Sequence, residues 1–260
     1  MKPEPRSAAE VFGERAAFYT TSAVHKDPRL LARVVELARP EPGWAALDVG
    51  TGTGHTAFAL AREVSYVVGT DITPEMISEA VALQAKKGLQ NVAFSLADAH
   101  DLPFADGSFD LVACRRAAHH FTDVRRALAE MARVLTRGGR LVVDDRSVPE
   151  DDRLDACLNE LDLLHDESHV LEYRPSVWSR MLVEAGFDVD AVEPYVLHRP
   201  LSSLTQGVSE ANIRRILAVI DALSVQDRQA LNVTDVAGKV HINHYYVMVS
   251  ATKAGGQGAH

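Results

Sequence analysis

The run Leu47-Asp-Val-Gly-Thr-Gly-Thr-Gly-His55 constrains this chain more than any other stretch. Ala45–Val49 reads as a short apolar strand, the glycines at 50, 52 and 54 as a turn, and the residues from His55 to about Glu63 as a helix. A strand feeding a glycine turn and then a helix leaves bare backbone N–H groups where a ligand can approach closely. In open parallel sheets such a site lies at the carboxyl ends of the strands. Nucleotide-binding folds share the pattern, but a dinucleotide fingerprint anchored at Gly50 asks for glycine or alanine at position 55. His55 stands there instead.

The flanking sequence continues the strand–helix rhythm. Tyr66–Gly69 reads as a second buried strand ending at Asp71, and Thr73-Pro74 starts a helix that Gly88 closes. Val92–Leu96 and Phe109–Cys114 read as strands three and four, and Leu141–Val143 as strand five, ending in Asp144-Asp145. Before strand five, Val124, Ala127, Leu128, Met131 and Leu135 recur at helical spacing until Gly138-Gly139. One helix is expected over Ala8–Tyr19, and another from Asp27-Pro28 until Pro40. Later come helices over Asp151–His165 and Ser176–Ala185, strands over Val189–Leu197 and Val240–Thr252, and a helical insertion around Ile213–Leu231 that would serve as a lid. Strands alternating with helices call for an α/β, doubly wound, Rossmann-like sheet covered on both faces.

Charge narrows the partners. The chain carries 36 Asp plus Glu against 27 Lys plus Arg, a formal charge of −9. That balance argues against broad capture of nucleic acid or of an anionic membrane. No run approaches the roughly 18 uninterrupted apolar residues of a spanning helix, and Met1–Arg6 offers no apolar signal core. Cys114 sits in an apolar strand, which fits a buried small residue rather than chemistry. A cytoplasmic protein is the expectation.

Asp71 follows the glycine loop by about 20 residues, where a carboxylate accepts hydrogen bonds from ribose hydroxyls. This serves NAD and S-adenosylmethionine equally. The next motifs separate them: Ala97-Asp-Ala-His-Asp-Leu-Pro-Phe104, Ser108-Phe-Asp-Leu-Val112 and Leu135-Thr-Arg-Gly-Gly-Arg-Leu-Val-Val143 follow in order. With the glycine loop they resemble class I S-adenosylmethionine-dependent methyltransferases, specifically the ubiquinone/menaquinone-biosynthesis-like, YcgJ-type group, over about residues 8–185. The C-terminal third matches less distinctly.

The resemblance implies a seven-stranded, mostly parallel sheet of order 3-2-1-4-5-7-6 with an antiparallel last strand, matched here by Val240–Thr252. It implies a single domain over 1–260: an N-terminal helical lid (1–40), a cofactor-binding core (41–146), an acceptor-side region with the last strands (147–253) and a flexible tail (254–260). S-adenosyl-L-methionine would lie with its methionine part in the loop Asp48, Gly50, Thr51, Gly52, Gly54 and His55, and its ribose on Asp71. Asp98 would accept from the adenine amino group and Ala99 would offer its N–H, with Ile72 and Met76 flanking the ring. Arg115 and Ala117 would line the methionine side. Tyr19 and His25, in the lid-like Tyr19–His25 segment, would cover the methyl donor. The acceptor pocket would be built by the N-terminal segment and residues 145–235, which include Tyr173, Trp178 and Tyr195. A homodimer is an ordinary expectation for such an enzyme.

Methyl transfer needs a base only where the acceptor loses a proton. His119 and His120, in the loop after strand four, are the candidates, because histidine titrates near neutral pH; Asp145 is a weaker one. Two other patterns stay outside the chemistry. His165-Asp-Glu-Ser-His169 has the spacing of a zinc-protease helix but aspartate where that motif needs glutamate, so no metal is expected. Arg115-Arg116 and Arg125-Arg126 read as solvated or salt-bridged faces. Two other functions stand beside this one: an NAD-dependent oxidoreductase, against which His55 and the motif around Asp98 count, and a non-methylating protein on the same fold, which would share the whole cofactor set.

Overall fold

β1 (Ala45–Val49) is the axis of the sheet, pairing in parallel with β2 (Tyr66–Asp71) on one side and β4 (Phe109–Arg115) on the other. β3 (Val92–Leu96) extends the sheet beyond β2, and β5 (Leu135–Arg146) extends it beyond β4, both in parallel. β8 (Lys239–Lys253) then runs antiparallel to β5, and β6 (Phe187–Pro200) antiparallel to β8. The order β3-β2-β1-β4-β5-β8-β6 is the expected one. An eighth strand, β7 (Thr234–Val236), hairpins onto β8 and adds to the seven foreseen. The computed structural model describes residue 13 and residues 25–255. The helix expected over Ala8–Tyr19, with Tyr19 itself, and residues 256–260 of the tail lie outside the described residues.

The helices form where local signals start and stop them. α1 (Pro28–Ala38) has proline in its first turn, and the Asp27 carboxylate accepts the Arg29 N–H at 2.9 Å. α2 (His55–Leu60) springs from the glycine loop. α3 (Pro74–Lys87) ends on Gly88 at φ +67°, a left-handed cap that glycine takes without strain. After a 3₁₀ turn at Ala118–His120, α4 (Val124–Val134) buries the apolar stripe foreseen from its spacing. α5 (Asp152–His165) is capped by Asp151, and α6 (Pro175–Glu184) follows. The insertion after β6 is three helices: α7 (Ser202–Thr205), α8 (Glu210–Ala222) and α9 (Val225–Ala230).

Strand five begins six residues earlier than expected. Leu135 pairs with Phe109, and regular pairing resumes at Arg140 opposite Leu111. Residues 136–139 are therefore a bulge that holds Gly138 at φ +74°. The glycine pair marks this bulge rather than the end of the helix.

Apolar side chains bury on both faces of the sheet. One core packs α4 and α6 against β4, β5 and β8, with Leu128, Met131, Trp178 and Leu182 almost fully buried. The other packs α1 and α2 against β1 and β2 through Val34, Leu37, Phe58 and Leu60. A third lies under the insertion, where Leu158 and Leu161 of α5 meet Leu204 of α7 and Ile216 and Ile220 of α8. Arg146, at the end of β5, donates to Asp162 of α5 and to Glu172 of the following loop, both buried. That loop is thereby held against the carboxyl edge of the sheet. Among the described residues, no helix is long and apolar enough to cross a membrane.

Candidate functional site

Gly50, Gly52 and Gly54 take φ of +66°, +52° and +88°, values that side-chain-bearing residues rarely adopt. A Cβ on Gly50 would stand 2.4 Å from the Cβ of Ala117. The loop after β1 thus closes directly on the segment after β4. The Thr51 N–H donates to the Thr70 carbonyl at 2.8 Å. Asp71 accepts the Gly52 N–H at 2.9 Å on one oxygen and the Thr73 N–H at 2.9 Å on the other, tying the loop to the start of α3. Burial raises its carboxyl above the usual carboxylate range. Asp48 lies beneath the loop, accepting the Thr51 hydroxyl at 2.6 Å and the Ala57 N–H at 3.0 Å. It is fully buried, and burial pushes its pKa up to about 6.

A cleft of about 310 Å³ opens around this loop at the carboxyl ends of β1 to β4, where the order of the strands reverses. The β2 and β3 ends contribute Asp71, Ile72, Met76, Asp98 and Ala99; the glycine loop contributes Gly50, Thr51, Gly52 and His55. His25, Arg115, Ala117 and His120 line the remainder. Three expected residues stay behind the wall: Asp48, Gly54 packed on Phe58 and Phe94, and His119. Asp98 accepts from the His100 N–H at 2.9 Å and contacts its Nδ1 at 2.6 Å. Burial works against its charge, but the His100 contacts more than offset that and leave it below the usual range.

The arginine pair is salt-bridged, the second form of the expectation, but with its side chains almost fully buried rather than on an open face. Arg115 is buried, donating from Nε to Thr56 Oγ1 at 2.9 Å and from Nη2 to the His25 carbonyl at 2.6 Å. Its Nη1 has no hydrogen-bond partner and lies 3.7 Å from Asp144 Oδ2. Nη1 is thus sealed from the cleft and shares its charge with Asp144. Arg116 sits at φ +57°. Its guanidinium stacks 3.8 Å from the Tyr246 ring centroid and donates to Tyr195 Oη at 2.8 Å and Asp144 Oδ2 at 3.3 Å. Burial opposes its charge, and Asp144 with the two tyrosines more than offsets that.

The two histidines have different surroundings. His119 is buried; its N–H donates to Asp145 Oδ2 at 2.9 Å, and its Nδ1 contacts Asp145 Oδ1 at 2.5 Å. Burial, then the neighbouring His120 and Arg146 side chains, hold its pKa well below the ordinary histidine value. Burial also pushes Asp145 up to about 6. His119 therefore stays a neutral donor to an ionised Asp145 near neutral pH. Its carbonyl accepts the Val170 N–H at 2.9 Å, joining the 3₁₀ turn to the loop after α5. His120 packs against His119 with ring centroids 4.0 Å apart and planes tilted by 44°, and it lines the cleft.

Sequence reasoning missed Thr53, Thr56, His100, Arg116 and the lining from Phe121, Thr122, Ser168 and Val170. Thr53 and His100 lie inside the motifs already read, whereas Ser168 and Val170 arrive from a loop whose path only tertiary packing sets. The aromatics expected on the acceptor side line no part of the cleft. Trp178 is buried in the core with Tyr173 edge-on at 5.9 Å, and Tyr195 stacks on Tyr246 at 5.2 Å. His165 Nδ1 contacts the Leu204 carbonyl at 3.0 Å and His169 Nε2 contacts Asn159 Oδ1 at 3.2 Å, so the two rings serve separate structural contacts.

Comparison with known proteins agrees with this geometry. A family model described as a methyltransferase domain matches residues 47–143. The chain is 41% identical over 170 residues to the uncharacterized methyltransferase YcgJ of Bacillus subtilis, covering 65% of this chain and 67% of that one. The crystal structure of the Bacillus YcgJ protein superposes with a TM-score of 0.83 at 32% identity, over 88% of this chain and 99% of that one. A demethylmenaquinone methyltransferase of Thermus thermophilus is 42% identical over 119 residues, covering 45% of this chain and 54% of that one.

Proposed function

The chain belongs to the class I S-adenosylmethionine-dependent methyltransferases, and from that premise we propose that it methylates a small-molecule acceptor with His120 as the base. The observation that carries this reading is the continuity of the cleft: one cavity runs from the ribose-type carboxylate Asp71, past the glycine loop, to Arg115 and His120.

The cofactor, when bound, supplies an electrophilic methyl group on a sulfonium. Asp71 would hold its ribose and Asp98 with the Ala99 N–H its adenine, with Ile72 and Met76 against the ring. Gly50, Thr51, Gly52 and His55 would border the methionine part, and Arg115 and Ala117, which line the same cleft, would flank it. Asp48 would act from beneath by holding the loop, as would Gly54; His25 would cover the methyl side. Positioning then supplies much of the acceleration, because two reactants held in line no longer pay for their encounter. His120 would take the acceptor's proton, while His119 and Asp145 hold the 3₁₀ turn that presents it.

The narrow cleft and the acidic balance of the chain support a small acceptor rather than a nucleic acid or a membrane surface, and one relative is named for demethylmenaquinone. A cytoplasmic enzyme of one domain fits, with the core at 41–146 and the acceptor side at 147–253; a homodimer is compatible with it. The test is transfer of a labelled methyl group from S-adenosylmethionine into the low-molecular-weight fraction of a cell extract. Label appearing there only with active protein supports the reading. Label in the protein or nucleic-acid fraction alone overturns the choice of acceptor.

A further inference from the structure

His100 lines the cleft between the loop after β3 and the start of α4, and its two ring nitrogens have different partners. The Asp123 N–H donates to Nε2 at 3.2 Å, while Nδ1 lies 2.6 Å from Asp98 Oδ1. An N–H cannot accept, so Nε2 carries the lone pair and Nδ1 the proton; the hydrogen bond made at one ring nitrogen sets the state of the other. His100 therefore donates to Asp98. Phe121 stands edge-on to the ring at 5.6 Å. Asp123 is itself fixed as the cap of α4, its carboxylate accepting the Arg126 N–H at 3.0 Å. The ring is thus held from the α4 side.

Asp98 has need of such a partner. Its side chain is 49% exposed, and the last torsion of an aspartate is broad, so a carboxylate on a loop turns easily. Oδ1 accepts the His100 backbone N–H at 2.9 Å besides the ring N–H. Each carboxylate oxygen has about two acceptor sites, so Oδ1 is filled. Among the described residues, none donates to Oδ2. Filling one oxygen turns a symmetric carboxylate into a single directed acceptor. A heterocycle that brings an amine to Oδ2 is paired there. One that brings a carbonyl oxygen sets two acceptors against each other and leaves the charge unmatched.

We infer that His100 is a positioning residue for cofactor selection: it fills Oδ1 of Asp98, so that Oδ2 alone meets the ligand and selects a purine bearing an exocyclic amine over one bearing an oxo group. The inference rests on the reading of Asp98 as the adenine residue and deepens it. Selection then depends on a ring that the loop after β3 borrows from the α4 side.

Calorimetric titration of the full chain with S-adenosylhomocysteine and with S-inosylhomocysteine reads this selection as a ratio of affinities. The inosyl ligand carries an oxo group and a ring N–H where adenine has an amine and a bare ring nitrogen. The wild-type chain is expected to favour the amine by at least about tenfold, the cost of leaving a charged acceptor mispaired. His100→Ala leaves Oδ1 only the backbone N–H and is expected to lower that ratio by about three- to tenfold. His100→Asn puts an amide N–H near the place of Nδ1 and is expected to restore it. Both ligands meet the same folded fraction, so a loss of stability alone does not move the ratio. An unchanged ratio in His100→Ala overturns the inference, and so does a fall that His100→Asn fails to reverse. A wild-type chain that binds both ligands equally would overturn the Asp98 reading itself, and the inference with it.

Discussion

Gly50→Ala is expected to destabilise the chain by about 2–5 kcal/mol, the sum of an overpacking cost and a left-handed backbone cost, and to abolish binding of S-adenosylhomocysteine. Two effects add at this residue. Alanine at φ +66° pays about 1–2 kcal/mol for the left-handed conformation. The new methyl carbon would also stand 2.4 Å from the Ala117 Cβ, a side chain with no freedom to move aside. Relief requires the β1 loop and the β4 segment to separate, which takes Arg115 and His120 away from the loop. Gly52→Ala is the control. Its Cβ meets nothing within 4 Å at φ +52°, so only the conformational cost of about 1–2 kcal/mol applies. Because Gly52 lines the cleft, that variant is expected to lose affinity with a smaller loss of stability than Gly50→Ala. Denaturant midpoints and calorimetry on both variants check the contrast, and equal stability of the two would mean that the loops do not close on each other.

His120→Gln is expected to lower turnover by roughly 10²–10⁴-fold, the ordinary worth of a positioned base, while S-adenosylhomocysteine affinity changes little. Glutamine keeps a donor for Ser168 but offers no basic nitrogen. His119→Gln should behave differently. That side chain is buried against Asp145, so its loss leaves a buried carboxylate short of a donor and lowers stability along with activity. Labelled-methyl turnover, paired with thermal melts, separates the two positions. A normal rate in His120→Gln would return that ring to a packing role against His119 and Phe121.

Most of what positions the cofactor side was legible in the sequence because local signals coincide with it. Glycines at alternate positions, Asp27-Pro28, Thr73-Pro74 and Gly88 act through backbone conformation, which depends on few neighbours, and strands one to four appear where their apolar runs lie. The sheet order came from the resemblance. The glycine pair at 138–139 misled because it marks a bulge opposite β4, which depends on the partner strand. Arg115 and Arg116 are salt-bridged, as one half of the expectation had it, but their burial follows from Asp144, Tyr195 and Tyr246 converging on these guanidiniums from β5, β6 and β8. Ser168 was hidden further still, since its place beside His120 depends on Arg146 anchoring the loop after α5 through Asp162 and Glu172. Residues brought together by three elements leave no periodic trace in any one of them.

The central claim is that this cleft takes S-adenosylmethionine. Calorimetric titration of the purified chain with S-adenosylhomocysteine, with NAD in parallel, tests it most directly. Saturable binding of S-adenosylhomocysteine with no heat from NAD is the predicted result. Binding of NAD instead, or of neither, would contradict the account.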